Sequence, residues 1–103
     1  MHTNYLRSVP TEWQHMSKVF EALGDEHRQR ILLTFEPQEK ITAGDLAKVS
    51  TLSRPTVSHH LKILKEANVL NSEKVGKQVY YWINKTFLET VFSSVLAYIQ
   101  ENT

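Results

Sequence analysis

Apolar side chains recur at helical spacing, then at strand spacing, then at helical spacing again along this chain of 103 residues. Trp13, Met16, Phe20 and Leu23 lie three or four positions apart and predict a first helix that ends at Gly24. Thr11 and Gln14 have the spacing of a capping box at its start. Asp25 is suited to cap a second helix, with Ile31, Leu32 and Phe35 as its apolar positions and Pro37 closing it. Thr42 precedes a short third helix over Ala43–Val49, where Asp45 sits in the turn that favours negative charge. Ser53 caps a fourth helix. Pro55 stands in its first turn, where a missing N–H costs little, and Val57, Leu61 and Leu64 form a stripe reaching about Ala67.

The period then changes. "VLNSEKVGKQVYYWI" is β-rich on both sides of Lys74-Val75-Gly76-Lys77 and predicts a two-stranded hairpin with Tyr80, Tyr81 and Trp82 in the return strand. Thr86 and Glu89 have capping-box spacing, and Leu88, Val91, Phe92, Val95, Leu96 and Ile99 line one side of a last helix over residues 84–101. The sum is a mostly α chain with a small β-hairpin, in the order α-α-α-α-β-β-α. With only three Gly, three Pro and no repeat, nothing divides residues 1–103 into two domains. Residues 1–10 read as a loose arm, in which Tyr5, Leu6 and Val9 are able to pack on something.

Composition narrows the function. There is no cysteine, which excludes disulfides, thiolate metal sites and thiol redox sensing. The longest apolar run, Val79–Ile83, is far short of a membrane span, and no basic start leads into an apolar stretch. A cytoplasmic protein without a membrane partner is expected. From Arg54 to Lys85 six basic residues meet two acidic ones, a net of +4, while the rest of the chain holds six basic and nine acidic residues, a net of −3. One basic half suits a polyanionic partner.

Two helices joined by a tight turn and followed by a hairpin form a winged helix-turn-helix, whose second helix enters the DNA major groove. At about 100° per residue, Val57, Leu61 and Leu64 share the inner side of the fourth helix. His59 and Lys62 fall opposite, and His60 lands on the flank of the inner side. The adjacent histidines therefore diverge and do not clasp one ion. His59 faces outward, and His60 packs at the flank with a hydrogen-bond partner. Arg54 and Lys62 suit phosphate, whereas Thr56, Ser58 and His59 suit base edges, with local capping as the alternative task of Thr56 and Ser58. At the hairpin tip Lys74 and Lys77 suit phosphates or the minor groove, or else protect an exposed strand edge.

"LGDEHRQRIL", "GDLAKVSTLSRPTVSHHLKILKEANVL" and "KVGKQVYYWI" resemble the ArsR/SmtB family of bacterial repressors over about Val19–Ile83. The resemblance implies a homodimer built from the first and last helices, a palindromic double-stranded operator, and release by an inducer. The dimer surface then falls to Trp13, Met16 and Phe20 with Leu88, Val91, Phe92, Val95, Leu96 and Ile99. Family members that sense soft metals often carry a cysteine pair where this chain reads "ITAGDL", Ile41–Leu46. Members that sense zinc carry ligands at positions matching Lys85, Phe87, Tyr98 and Glu101, of which only Glu101 can bind a metal. Neither metal site nor any cofactor is therefore expected, and the inducer is not evident. Glu12 and His15 at i, i+3, with His2 and His27 unplaced, leave a non-standard metal site as one alternative, and a protein-binding winged helix as another. Thr51 stands where the family usually has glycine, which predicts a strained or altered turn. No nucleophile–base spacing or phosphate-binding glycine loop supports an enzyme.

Overall fold

Four helices, a strand pair and a closing helix form in the predicted order, with one further strand inserted between the second and third helices. The structure, a computed structural model, describes Val9 and residues 11–103, apart from the side chain of Glu12. The expected arm over residues 1–10, including His2, lies outside the described residues except for Val9, which is exposed. The elements are α1 (Gln14–Leu23), α2 (Glu26–Thr34), β1 (Ile41–Thr42), α3 (Ala43–Val49), α4 (Arg54–Glu66), β2 (Leu70–Val75), β3 (Gln78–Ile83) and α5 (Lys85–Asn102).

Caps place most of the helix starts. Asp25 accepts from the Arg28 backbone N–H at 3.2 Å, and Thr42 and Asp45 form a reciprocal capping box at α3. Ser53 caps α4 with Pro in its first turn. Two expected boxes do not form. Thr11–Trp13 is a 3-10 turn and α1 begins after Trp13 without a side-chain cap. At α5 the cap is Asn84, whose side chain accepts from Phe87, while Thr86 and Glu89 lie inside the helix. Glu89 instead pairs with Lys85 at 3.8 Å. Gly24 does end α1, but in a right-handed conformation with φ −78, so no left-handed cap is involved.

The turn between α3 and α4 needs no glycine. Among the described residues only Gln38, Asn68 and Gly76 have positive φ, so Thr51 carries no left-handed strain and the expectation of a strained turn is corrected. The Ser50 hydroxyl instead accepts from the Leu52 N–H at 2.9 Å and shapes the turn with a side chain. Asn68, at φ 63, ends α4: its N–H reaches the Lys65 carbonyl at 2.9 Å and that of Val69 reaches Leu64 at 3.0 Å. This is the hydrogen-bond pair of a Schellman motif, with Asn in the left-handed place. It turns the chain directly into β2 and buries Val69 completely.

The sheet has three strands rather than two, in the order β1-β3-β2, all antiparallel. Ile41 pairs with Tyr81 and Thr42 with Tyr80, so the segment leading into α3 is stitched to the wing. Val75 pairs with Gln78 around Gly76-Lys77, and Gly76 at φ 62 supplies the positive φ that a two-residue hairpin turn needs at its first central position. The core gathers Val19, Leu46, Val57, Leu61, Leu64, Val69 and Leu70, drawn from α1, α3, α4 and the start of β2. Burying each such side chain contributes about 1.5–3 kcal/mol, so the inner face of α4 is firmly held.

Candidate nucleic-acid interface

The same burial that fixes the inner side of α4 presents its outer side. Val57, Leu61 and Leu64 are each 0% exposed, while Arg54, Thr56, Ser58, His59 and Lys62 are all exposed. Five of the seven predicted contact residues therefore stand on the solvent side of one helix. The other two, Lys74 and Lys77, are exposed on either side of Gly76, whose missing Cβ would meet nothing within 4 Å at this open tip.

Local bonds set the starting poses of these groups. The Ser53 hydroxyl lies 2.9 Å from that of Thr56 and accepts from the Thr56 N–H at 3.4 Å, so the Thr56 hydroxyl is shared with the cap. The Arg54 guanidinium rests over the start of α3, where a Cβ on Gly44 would lie 3.9 Å from its Cζ. Lys62 is 4.0 Å from Glu66, one turn on, and both are solvated, so this ion pair holds the lysine only weakly. Lys40 spans the outer face of the sheet. Its ammonium lies 3.7 Å from Glu73 and 4.4 Å from the centre of the Trp82 ring, tying β2 and β3 to the entry of β1.

The two histidines part as the spacing predicts. His59 is exposed and His60 is buried. The Nδ1 atom of His60 accepts from Nη1 of Arg28 at 3.2 Å. Burial holds the His60 imidazole below the usual histidine range; nearby Asp25 pulls the other way, and the Arg28, His27 and His59 charges add to the lowering. Backbone N–H donation from Arg28 holds the Asp25 carboxyl below its ordinary value. Sequence reasoning missed Arg28. The signal was present: it lies three residues before Ile31 and so shares the inward side of α2. His27, left unplaced by sequence, stands beside His60 with ring centres 5.8 Å apart.

The residues expected at a dimer surface fall into three groups. Met16 and Val91 are buried within the protomer's own core. Trp13, Leu88 and Val95 are half-buried, with Trp13 edge-on to Tyr98 at 5.1 Å. Phe20, Phe92, Leu96 and Ile99 are between 42% and 54% exposed. Among the described residues no three His, Asp or Glu side chains are gathered as a metal site, and no helix is long and apolar enough to cross a membrane.

Residues 23–73 match a family model described as a helix-turn-helix domain. The chain is 37% identical over 86 residues to the transcriptional repressor SdpR of Bacillus subtilis, covering 84% of this chain and 94% of that one. It is 32% identical to a transcriptional repressor SmtB homolog of Synechocystis, covering 99% of this chain and 81% of the other. An ArsR-like transcriptional regulator from Rhodococcus superposes with a TM-score of 0.80 at 26% identity, over 89% of this chain and 86% of that one. A Mycobacterium bovis fragment, described as a homodimeric winged helix-turn-helix DNA-binding domain, shares the fold with a TM-score of 0.68 at 20% identity, over 94% and 93%. An outward basic helix, a lysine-tipped wing and relatives that span nearly the whole chain agree: this protein belongs to the ArsR/SmtB family of winged helix-turn-helix transcriptional regulators.

Proposed function

We propose that the chain acts as a homodimeric repressor on a palindromic double-stranded operator. In each protomer α4 lies in the major groove, with Thr56, Ser58 and His59 against base edges and Arg54 and Lys62 on phosphates. Lys74 and Lys77 hold flanking backbone from the wing. The observation that carries this reading is the outer side of α4: a helix anchored by three fully buried side chains that turns a hydroxyl, an imidazole and a lysine to solvent. Exposed Phe20, Phe92, Leu96 and Ile99 supply the surface for a second copy, which would set two recognition helices about one DNA turn, roughly 34 Å, apart. The repressor names of two relatives support the direction of regulation. The family's usual metal positions carry Lys85, Phe87 and Tyr98 here, which supports release by a signal other than a metal bound there.

Selection of duplexes from a random pool, followed by gel shifts on the chain's own promoter, tests the reading. A selected palindrome should bind, and affinity should fall steeply with salt. Lys77→Ala should weaken selected and random DNA alike and reduce the log–log salt slope by about 1. Zinc at micromolar concentration should leave the complex intact. If no duplex is bound even at low ionic strength, the winged helix serves protein binding instead.

A further inference from the structure

The recognition helix is held from behind by one polar contact, and that contact has a single allowed protonation state. Arg28 uses its guanidinium three ways. Nε donates to the Ala22 carbonyl at 2.6 Å and Nη2 to that of Glu21 at 3.4 Å, both at the end of α1. Nη1 donates to Nδ1 of His60 on α4. One side chain of α2 thus ties the tail of α1 to the middle of α4. Arginine has no acceptor and keeps its proton throughout the accessible range, so His60 receives this bond only when Nδ1 is bare and the ring proton sits on Nε2. Protonating Nδ1 removes the acceptor and sets two cations in contact across 3.2 Å.

We propose that Arg28 and His60 are positioning residues forming a proton-sensitive latch, which fixes α4 for sequence reading while His60 is neutral and loosens it when His60 gains a proton. Residue 60 directly follows His59 on one rigid helix, so any tilt of α4 at His60 moves the reading residue. The groups around the latch come from every element packed on it. Among the described residues, Asp25, 4.0 Å from Arg28, is the carboxylate placed to favour the protonated ring. His27 of α2 and His59 of α4, with ring centres 5.8 and 6.1 Å from His60, oppose it once charged. Lys18 and Glu21 of α1 and Glu66 of α4 line a solvated cleft with Arg28 and bring charges of both signs to it. Burial weighs against the charged ring, so the folded protein resists the proton and the loosened state appears only below the ordinary histidine range. In linkage terms the unfolded chain takes up the proton first. The latch's contribution is therefore complete above the free histidine value and is lost as pH falls toward the lowered one.

This inference rests on the DNA-binding reading, and its test separates the two. The full chain is measured on a selected duplex and on a scrambled duplex, from pH 8 to about 5.5 at constant ionic strength. General attraction to DNA cancels in the ratio of the two affinities, and whatever His59 itself adds to base reading is common to wild type and His60→Asn, so the latch is read as the difference between the two proteins. Toward the acid end of the range that ratio should fall about tenfold further in the wild type than in His60→Asn, the worth of one charge-assisted bond. His60→Asn keeps an acceptor oxygen toward Arg28 that does not titrate, so it should bind well and lose less of the ratio than the wild type. Imidazole nitrogen NMR of the free protein should show His60 with Nδ1 bare and titrating below the ordinary histidine range, a readout that involves no DNA. A ratio that falls equally in wild type and His60→Asn, or a His60 ring protonated on Nδ1 at pH 7.5, would overturn the latch while leaving DNA binding intact. Failure to bind any duplex, with the NMR signature present, would overturn the reading on which the latch depends.

Discussion

Helices α4 and α5 carry apolar stripes of the same kind, yet the fold treats them oppositely. On α4, Val57, Leu61 and Leu64 are sealed completely inside the protomer. On α5 only Val91 is buried; Leu88 and Val95 are half covered, and Phe92, Leu96 and Ile99 keep 44–54% of their surface in water. A hydrophobic stripe states which side of a helix avoids water but not what covers it. The difference divides the work. In the proposed function, the fully anchored helix offers its polar side as a rigid reading surface, and the half-covered helix keeps apolar area for a second copy.

The comparison is broken most directly from the α4 side. Leu61→Ala removes a fully buried side chain at the centre of the core and should destabilise the protein by about 2–5 kcal/mol. Urea unfolding should show this loss at every protein concentration. Leu96→Glu attacks the other stripe and should behave differently. Its site is half solvated, so protomer folding at low concentration should change little. Self-association should weaken by about 2 kcal/mol or more, seen as a monomer in sedimentation and as loss of the concentration dependence of the melting temperature. Equal losses at low concentration in both variants would mean that the α5 stripe closes a core rather than joins two copies.

On the outer side of α4 the expected effects are smaller and more selective. His59→Ala leaves the core untouched and should narrow the gap between operator and random duplex by about 1–3 kcal/mol, with no change in unfolding midpoint. If both duplexes lose affinity equally, His59 belongs with the phosphate contacts and not with the reading group.

How much of this was legible in the sequence follows the length of the signal. The α4 stripe extends over several turns and predicted both the burial of its leucines and the parting of His59 from His60. Strand β1 is two residues long, Ile41 and Thr42, and has no period to detect; only pairing with Tyr80 and Tyr81 makes it a strand. Of the two expectations for the turn at Thr51, strain is the one overturned, because a side-chain bond from Ser50 can shape a turn without a left-handed residue. The spacing from Ile31 puts Arg28 on the inward side of α2 but names no partner, because its partners are 6 and 32 positions away and meet it only once α1, α2 and α4 have packed.

The start of α5 offers the finest version of the comparison, because here two candidate caps compete within three residues. Capping-box spacing favoured Thr86 with Glu89, yet the chain enters the helix from β3 two residues earlier. The Asn84 N–H is bonded to the Val69 carbonyl at 3.0 Å, which fixes where the strand ends. Helical bonding therefore begins at once, with the Leu88 N–H donating to the Asn84 carbonyl at 3.1 Å. Thr86 is already inside, its carbonyl accepting from the Thr90 hydroxyl at 3.0 Å. Strand register, not cap preference, chose the first residue. Asn84→Ala should then cost about 1 kcal/mol in urea unfolding, whereas Thr86→Ala should stay within about 0.5 kcal/mol of wild type. The reverse ranking would move the start of α5 two residues along and detach it from the end of the wing.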